Sequence, residues 1–348
     1  MAHPFYLFVK ATSWLGLKLF FGGVKLIDKH NIPKDGAVIF APNHQGAFMD
    51  ALLSGVYTKR PVHFLTRADI FKSKVVISIL KSLHMMPIYR IRDGIQSLSQ
   101  NDAVFDTCFE ILSNGKAVLI FPEGNHGHDY FLRSISKGTS RLALDARESL
   151  DPNLKLYIVP IGINYFSHRR PLAKVLIKFG KPIDTSDYHD LYDEHKQRAY
   201  NKFREDLTEG MKSTLILAEN SEHYEKKRDF IFQPKHQDLP FDQLKEMGNS
   251  EDPGVREQKP KGVFVRFLIA LFSLPNLPAL LSLKKFLPVI KDPVFTISLK
   301  YLAGGIFHII WWILIGILGG VLISWQAGLL FVATAIMFMF ARQKLISY

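Results

Sequence analysis

Only one cysteine, Cys108, stands in this chain of 348 residues. A lone thiol excludes an internal disulfide framework and a multi-cysteine metal site. Within its apolar stretch it reads as a small buried hydrophobe. Acidic residues are scarce relative to basic ones, 32 against 44, for a formal net charge of +12. That balance suits anionic partners: membrane headgroups, phosphorylated substrates or nucleic acid. Nucleic acid is set aside, because zinc finger, RNP motif and dense basic helix are all missing. Internal repeats, a Gly-x-Ser-x-Gly nucleophile elbow and a His-Glu-x-x-His metal motif are missing too. The first residues lack a secretory pattern: Lys10 and Lys18 interrupt the apolar run, and no small-x-small cleavage site follows.

What is present falls into four parts. Residues 1–31 hold an aromatic, moderately apolar helix, expected over 5–26. It is expected to lie in the membrane interface or pack on the main domain. Residues 32–218 alternate strand and helix signals. Apolar runs at 37–41, 62–65, 85–90, 117–121, 156–162 and 174–179 read as strands. Helical patterns fall at 45–57, 75–83, 101–114 and 136–148, with a polar covering helix in 184–218. This alternation predicts an α/β fold with a mainly parallel sheet flanked by helices. Residues 219–261 are rich in charge, Pro and Gly and read as a linker or a loosely packed arm.

Residues 262–348 change character. The apolar stretch 263–283 is broken by Pro275 and Pro278, and neither half reaches the roughly 20 residues needed to span a bilayer. A re-entrant or interfacial segment is expected there, followed by transmembrane helices at 302–323 and 326–342. Lys284, Lys285, Lys291 and Lys300 precede the first span, and Arg342 and Lys344 follow the second. The positive-inside rule then places both ends of this hairpin on the cytoplasmic face of an integral membrane protein, and the main domain with them if 263–283 dips in and returns. The alternative is one greasy buried hairpin in a soluble protein. Trp311 and Trp312 sit mid-span and read as helix packing; His308 is costly in lipid and is expected to face protein.

The chemistry-bearing residues lie at strand ends. His44 follows the strand at 37–41, and Asp50 comes six positions later in an apolar run. A histidine suits proton removal near neutrality, and a carboxylate on its other nitrogen fixes the tautomer. Alone, such a pair is more often structural. Glu123 and Gly124 close the apolar run at 117–121 in Phe121-Pro122-Glu123-Gly124. In open α/β sheets, ligands bind at that end of the strands. Glu123 either touches substrate, caps the local turn, or does both. Lys137 opens a helix whose backbone donors suit a phosphate, and Arg90, at another strand end, suits bidentate phosphate contact. His126, His128 and Asp129 invite a metal reading, but they would need ligands from elsewhere, so no metal is assigned.

Together, Asn43-His44 with Asp50, Pro87-Ile88-Tyr89-Arg90, Phe121-Pro122-Glu123-Gly124 and Val159-Pro160-Ile161-Gly162 resemble the blocks of the glycerolipid acyltransferase family, in that family's order. The resemblance covers roughly 32–184. It implies that His44 is the general base, Asp50 its orienting carboxylate and Arg90 a ligand of the acceptor phosphate, with Glu123 and Gly124 in the same acceptor site. It implies acyl-CoA or acyl carrier protein as donor, a phosphorylated glycerol as acceptor, the bilayer as partner, and no cofactor. One departure stands out: five residues separate His44 from Asp50 where four are commoner in the family. Neither spacing suits one helix face, so His44 must sit on a turn that Gly46 lets fold back. The spacing, His128-Asp129 and the C-terminal hairpin resemble the subgroup acting on glycerol-3-phosphate or dihydroxyacetone phosphate, without excluding 1-acylglycerol-3-phosphate. An inactive lipid-binding or membrane-remodelling protein and an acyl-thioester hydrolase are the competing readings.

Overall fold

The computed structural model describes residues 4–89, 100–251, 261–289 and 292–347. Its centre is β2 (Ala37–Pro42), a strand with no polar side chain. Ala37 through Ala41 are wholly buried, as a continuous apolar run demands when both faces are covered. Alternate residues face opposite layers. Ala37, Ile39 and Ala41 pack beneath α4 (Gln100–Ser113), α5 (Lys137–Ser149) and α6 (His189–Ser213). Val38 and Phe40 meet α1 (Pro4–Phe20) and α2 (Phe48–Tyr57) on the other side.

The sheet order is β1 (Val24–Ile27), β7 (Val175–Phe179), β6 (Leu156–Tyr165), β2, β5 (Ala117–Leu119), β3 (Val62–Arg67) and β4 (Met85–Ile88), with β8 (Ile183–Asp184) on β6. From β6 through β4 every pairing along that order is parallel; β7 and β8 run antiparallel to β6. This is the expected mainly parallel α/β architecture. The parallel strands deliver their following residues to one rim, where chemistry is found in open sheets. α3 (Lys74–Ser82) connects β3 to β4.

Several element ends shift by a few residues, the first long apolar C-terminal helix beginning at Thr296 and the second ending at Ser347, and two larger differences from the sequence reading stand out. The first helix ends at Phe20, and Val24–Ile27 joins β7 as a parallel strand. Gly22 and Gly23 cause the break: Gly23 adopts φ 149°, and a Cβ on Gly22 would meet the Leu172 carbonyl oxygen. Of the 17 helical residues of α1, Tyr6 and Leu17 are buried against the domain, while Phe5, Leu7, Phe8, Trp14, Leu15 and Leu19 stay exposed. The second difference lies in 219–261. It is not a linker over its described part: α7 (Tyr224–Ile231) and α8 (Phe241–Asn249) bury Tyr224, Ile231, Phe241 and Leu244 against Phe166, Leu176, Ile216 and Leu217. Their few apolar residues recur at helical spacing on one face, a sparse signal that surrounding charge conceals.

The C-terminal part contains α9 (Val263–Ser273), α10 (Leu277–Phe286), α11 (Thr296–Leu322) and α12 (Trp325–Ser347). Among the described residues three helical segments are long and apolar enough to cross a membrane: 263–289, 293–322 and 325–347. α11 and α12 pack antiparallel through glycines; a Cβ on Gly319 would come within 2.9 Å of the Gly328 Cα. Small residues permit that approach. The segment 263–289, despite its length, is V-shaped. Lys261, just before α9, donates to the Leu345 carbonyl, Phe272 on α9 packs on Phe338, and Asn276, beyond its end, donates to the Ala335 carbonyl, so α9 runs antiparallel to α12. Asn276, immediately before α10, meets Trp312, and Phe286 at its end meets Phe307, so α10 runs antiparallel to α11. The chain therefore enters beside one helix and returns beside the other. Its tip is the turn around Pro275, whose carbonyl accepts Trp311 Nε1 at 2.7 Å. Irregular backbone at such depth needs protein partners of this kind. His308 is buried and faces protein, with its Nδ1 2.7 Å from the Gly304 carbonyl oxygen.

Candidate active site

His44 leaves β2 on a turn, and α2 begins only at Phe48, so the turn absorbs the extra residue before Asp50. Asn43 fixes the exit: its side chain accepts from Ile163 N–H at 2.7 Å and donates to the Ile163 carbonyl at 3.2 Å. Its amide thereby replaces backbone pairing where β2 peels away from β6. Gly46 is required by space, because a Cβ there would lie 2.9 Å from Asp50 Oδ1 and 2.8 Å from the Tyr165 hydroxyl. Ala47 adopts φ 49° and ψ −120°, a region costly for any residue with a Cβ.

The result is a compact dyad. His44 Nδ1 lies 2.9 Å from Asp50 Oδ2. The same oxygen accepts Gly46 N–H at 2.7 Å, and Oδ1 accepts the Tyr165 hydroxyl at 2.6 Å. The Asp50 side chain is fully buried while the His44 side chain keeps 15% exposure. Burial, and then the Asp50 charge, push the Tyr165 phenol well above its usual range, so it remains a donor. Buried carboxylates need such partners. His44 also stacks on Phe121, with ring centroids 3.8 Å apart and planes 16° apart. Asp50 engages Nδ1 and not Nε2.

Glu123 comes to the same place from β5. Its Oε1 accepts His44 N–H at 2.7 Å, and its Oε2 accepts Arg133 Nε at 2.6 Å. Arg133 also donates to the His44 carbonyl at 3.0 Å. Both carboxylate oxygens are thus held by protein donors, which is the turn-capping alternative. Oε1 keeps a second lone pair, but the Glu123 side chain is only 1% exposed. Gly124 sits at φ 65°, and Lys137 is the first residue of α5. Both line a cavity of about 1180 Å³ with His44 and Glu123. Arg67 and Arg141 add positive charge to its wall, while Phe64, Leu80, Leu83, Met85 and Phe105 make an apolar side. Arg90 lies outside the described residues.

Several participants went unmarked in the sequence. Tyr165, at the end of β6, and Arg133, nine residues beyond Gly124, carry no motif of their own. His126 reaches Asp292 across the chain, with Nε2 3.0 Å from Oδ2, and stands edge-on to His44 at 5.6 Å between ring centroids. Burial pulls the His126 imidazole below its usual pKa despite the Asp292 hydrogen bond. For Asp292, burial raises the carboxyl, but the Val294 N–H and His126 outweigh it and the net shift is downward. The pair is therefore a neutral imidazole donating to a carboxylate. Among the described residues, the one group with metal-ligand spacing is Glu148, His189 and Asp193, all exposed and remote from His126, His128 and Asp129 in sequence. Cys108 is buried under the sheet, its thiol pushed up to about 12 by burial, which disqualifies it as a nucleophile.

An acyltransferase family model matches residues 23–164. The 1-acyl-sn-glycerol-3-phosphate acyltransferase of Bacillus subtilis is 32% identical over 201 residues, 57% of this chain and 89% of that one. The glycerol-3-phosphate O-acyltransferase 2 of Saccharomyces cerevisiae is 28% identical over 126 residues, 36% of this chain and only 16% of the yeast protein. The crystal structure of the 1-acyl-sn-glycerophosphate acyltransferase PlsC from Thermotoga maritima is similar at a TM-score of 0.41 and 18% identity, covering 60% of this chain and 78% of that one. Kinship at the bacterial level, over nearly the whole of the Bacillus enzyme, places this chain in the glycerolipid acyltransferase family.

Proposed function

We propose that this protein transfers a fatty acyl group from a thioester, acyl-CoA or acyl carrier protein, to a hydroxyl of a phosphorylated glycerol at the cytoplasmic face of a membrane. The observation that carries the reading is the His44–Asp50 pair at the wall of a cavity lined by both basic and apolar side chains. His44 takes the acceptor hydroxyl's proton at Nε2 as the oxygen attacks the thioester carbonyl. Asp50 holds the opposite nitrogen and stabilises the imidazolium. Backbone N–H groups of the 45–48 turn receive the developing oxyanion, and the thiol leaves carrying the transferred proton. No acyl-enzyme forms, and no cofactor or metal takes part.

Lys137, with the start of α5 behind it, binds the acceptor phosphate, and Arg90 is a second ligand. The apolar side of the cavity takes the acyl chain. Glycerol-3-phosphate or dihydroxyacetone phosphate is the preferred acceptor, with 1-acylglycerol-3-phosphate as the alternative. The lysines ahead of α11 and the basic residues at the end of α12 support the cytoplasmic orientation.

The test is free-thiol release by the purified protein, given acyl-CoA or acyl carrier protein with each acceptor in turn. Release that depends on acceptor supports transfer, and the panel ranks the acceptors. Release without acceptor means hydrolysis. No release at all leaves a lipid-binding protein.

A further inference from the structure

The first turn of α11 reaches into the dyad. Ser298 is buried and lies 249 residues from Met49 in sequence. Its hydroxyl oxygen accepts Met49 N–H at 3.2 Å, and the hydroxyl donates to the Gly46 carbonyl at 3.1 Å. Those two backbone groups bracket Ala47, the residue with the strained conformation. Gly46 is also the residue whose N–H holds Asp50 Oδ2. Met49 N–H already bonds the Gly46 carbonyl at 3.0 Å. Ser298 is therefore a second partner for both groups, and what it adds is a tie between turn and membrane helix. Strained backbone persists only where its surroundings over-determine it.

Two neighbours of Ser298 reinforce the contact. Phe295 lines the cavity and stands edge-on to His126, with ring centroids 5.1 Å apart. Asp292 caps the short turn leading into α11 through Val294 N–H and pairs with His126. The turn leading into α11 thus contributes Phe295 to the cavity lining and Asp292 to His126.

We infer that Ser298 is a positioning residue for the dyad: it clamps the 46–49 turn so that Gly46 and Asp50 hold His44 in its reactive orientation. The hairpin is in this sense part of the catalytic machinery as well as an anchor. The inference rests on the reading of His44 as the base.

The experiment compares full-length wild type with Ser298→Ala, Ser298→Thr, Ser273→Ala and His44→Ala, all in the same detergent. Ser273 is the control, because its hydroxyl accepts from Arg342 elsewhere in the hairpin. Loss of the clamp should lower kcat about tenfold in Ser298→Ala with both KM values within about twofold, since a small misplacement of the base acts on the chemical step. Ser298→Thr should restore most of the rate, and Ser273→Ala should match wild type. The thermal unfolding midpoint should be shared by Ser298→Ala and wild type. The low-field proton resonance of the His44–Asp50 hydrogen bond should shift or broaden in Ser298→Ala alone, a change that a merely structural role would not produce. If the alanine variant folds poorly, Ser298→Cys gives the same reading with similar size and a weaker donor. A Ser298→Ala protein with wild-type kcat and resonance overturns the inference, as does a loss of rate that only tracks the amount of folded protein. If His44→Ala still transfers, the proposed function itself fails; if it is silent while Ser298→Ala is normal, only the inference does.

Discussion

Two histidine–carboxylate pairs stand edge to edge at the rim of the sheet, and they are built in opposite ways. His44 and Asp50 are six residues apart and come from one strand–turn–helix unit. His126 and Asp292 are 166 residues apart and join the loop after β5 to the entry of α11. Asp50 is fully buried and accepts three hydrogen bonds, from His44, Gly46 and Tyr165, whereas the Asp292 side chain is 45% exposed. The first pair is held rigidly by local and sheet partners. The second is a latch between layers, and its exposed carboxylate keeps water as a competing partner.

The comparison breaks most sharply at His44. His44→Gln should lower kcat by about 10²- to 10⁴-fold, the usual worth of a positioned base, in the thiol-release assay with donor binding retained. Comparable activity in this variant would move the base elsewhere. Asp50→Asn comes next, with a loss of about 10²-fold or more, because an amide cannot impose the same tautomer on the ring. Stability separates a third variant from these two. Arg133→Met leaves Glu123, whose side chain is 1% exposed, without its cation. Breaking a buried pair in this way should cost about 3 kcal/mol in denaturant unfolding.

Asp292→Asn should have the smallest effect, at most about fivefold in kcat, as expected of a partly exposed pair. Its pH dependence sharpens the contrast. The Asp292 carboxyl is held below its ordinary value, so its contribution is present above the unfolded-state pKa, about 4, and is lost as pH falls through the lower folded value. The difference in stability between wild type and Asp292→Asn should therefore not fall between neutral pH and about 5, because protonating His126 only strengthens the pair, and should vanish only in stronger acid. A difference that collapses near pH 6.5 would mean that the imidazole, not the carboxylate, controls the latch.

Legibility in the sequence followed the range of the contacts. The strand at β2 showed itself because five consecutive apolar residues have no other economical fate in a soluble layer. Glu123 was visible because it sits at the junction of an apolar run and a polar loop, and Lys137 because it opens a helix. Arg133 and Tyr165 were hidden because their partners lie on other strands, and nothing local marks an arginine in a loop or a tyrosine closing a strand. The packed helices at 224–249 were hidden by composition, since two or three buried residues per helix are outnumbered by charge. The V shape of 263–289 was legible through Pro275, whose ring removes a helix donor.

By itself, the sequence determined the layered α/β domain, the dyad turn and the apolar C-terminal helices, because each depends on periodicity or on a bond between near neighbours. Only the tertiary structure decided that Tyr165, Arg133 and Ser298 converge on that turn, and that Phe295, just ahead of α11, lines the cavity. Those contacts join segments whose separation in sequence carries no energetic signal until the sheet brings their ends together.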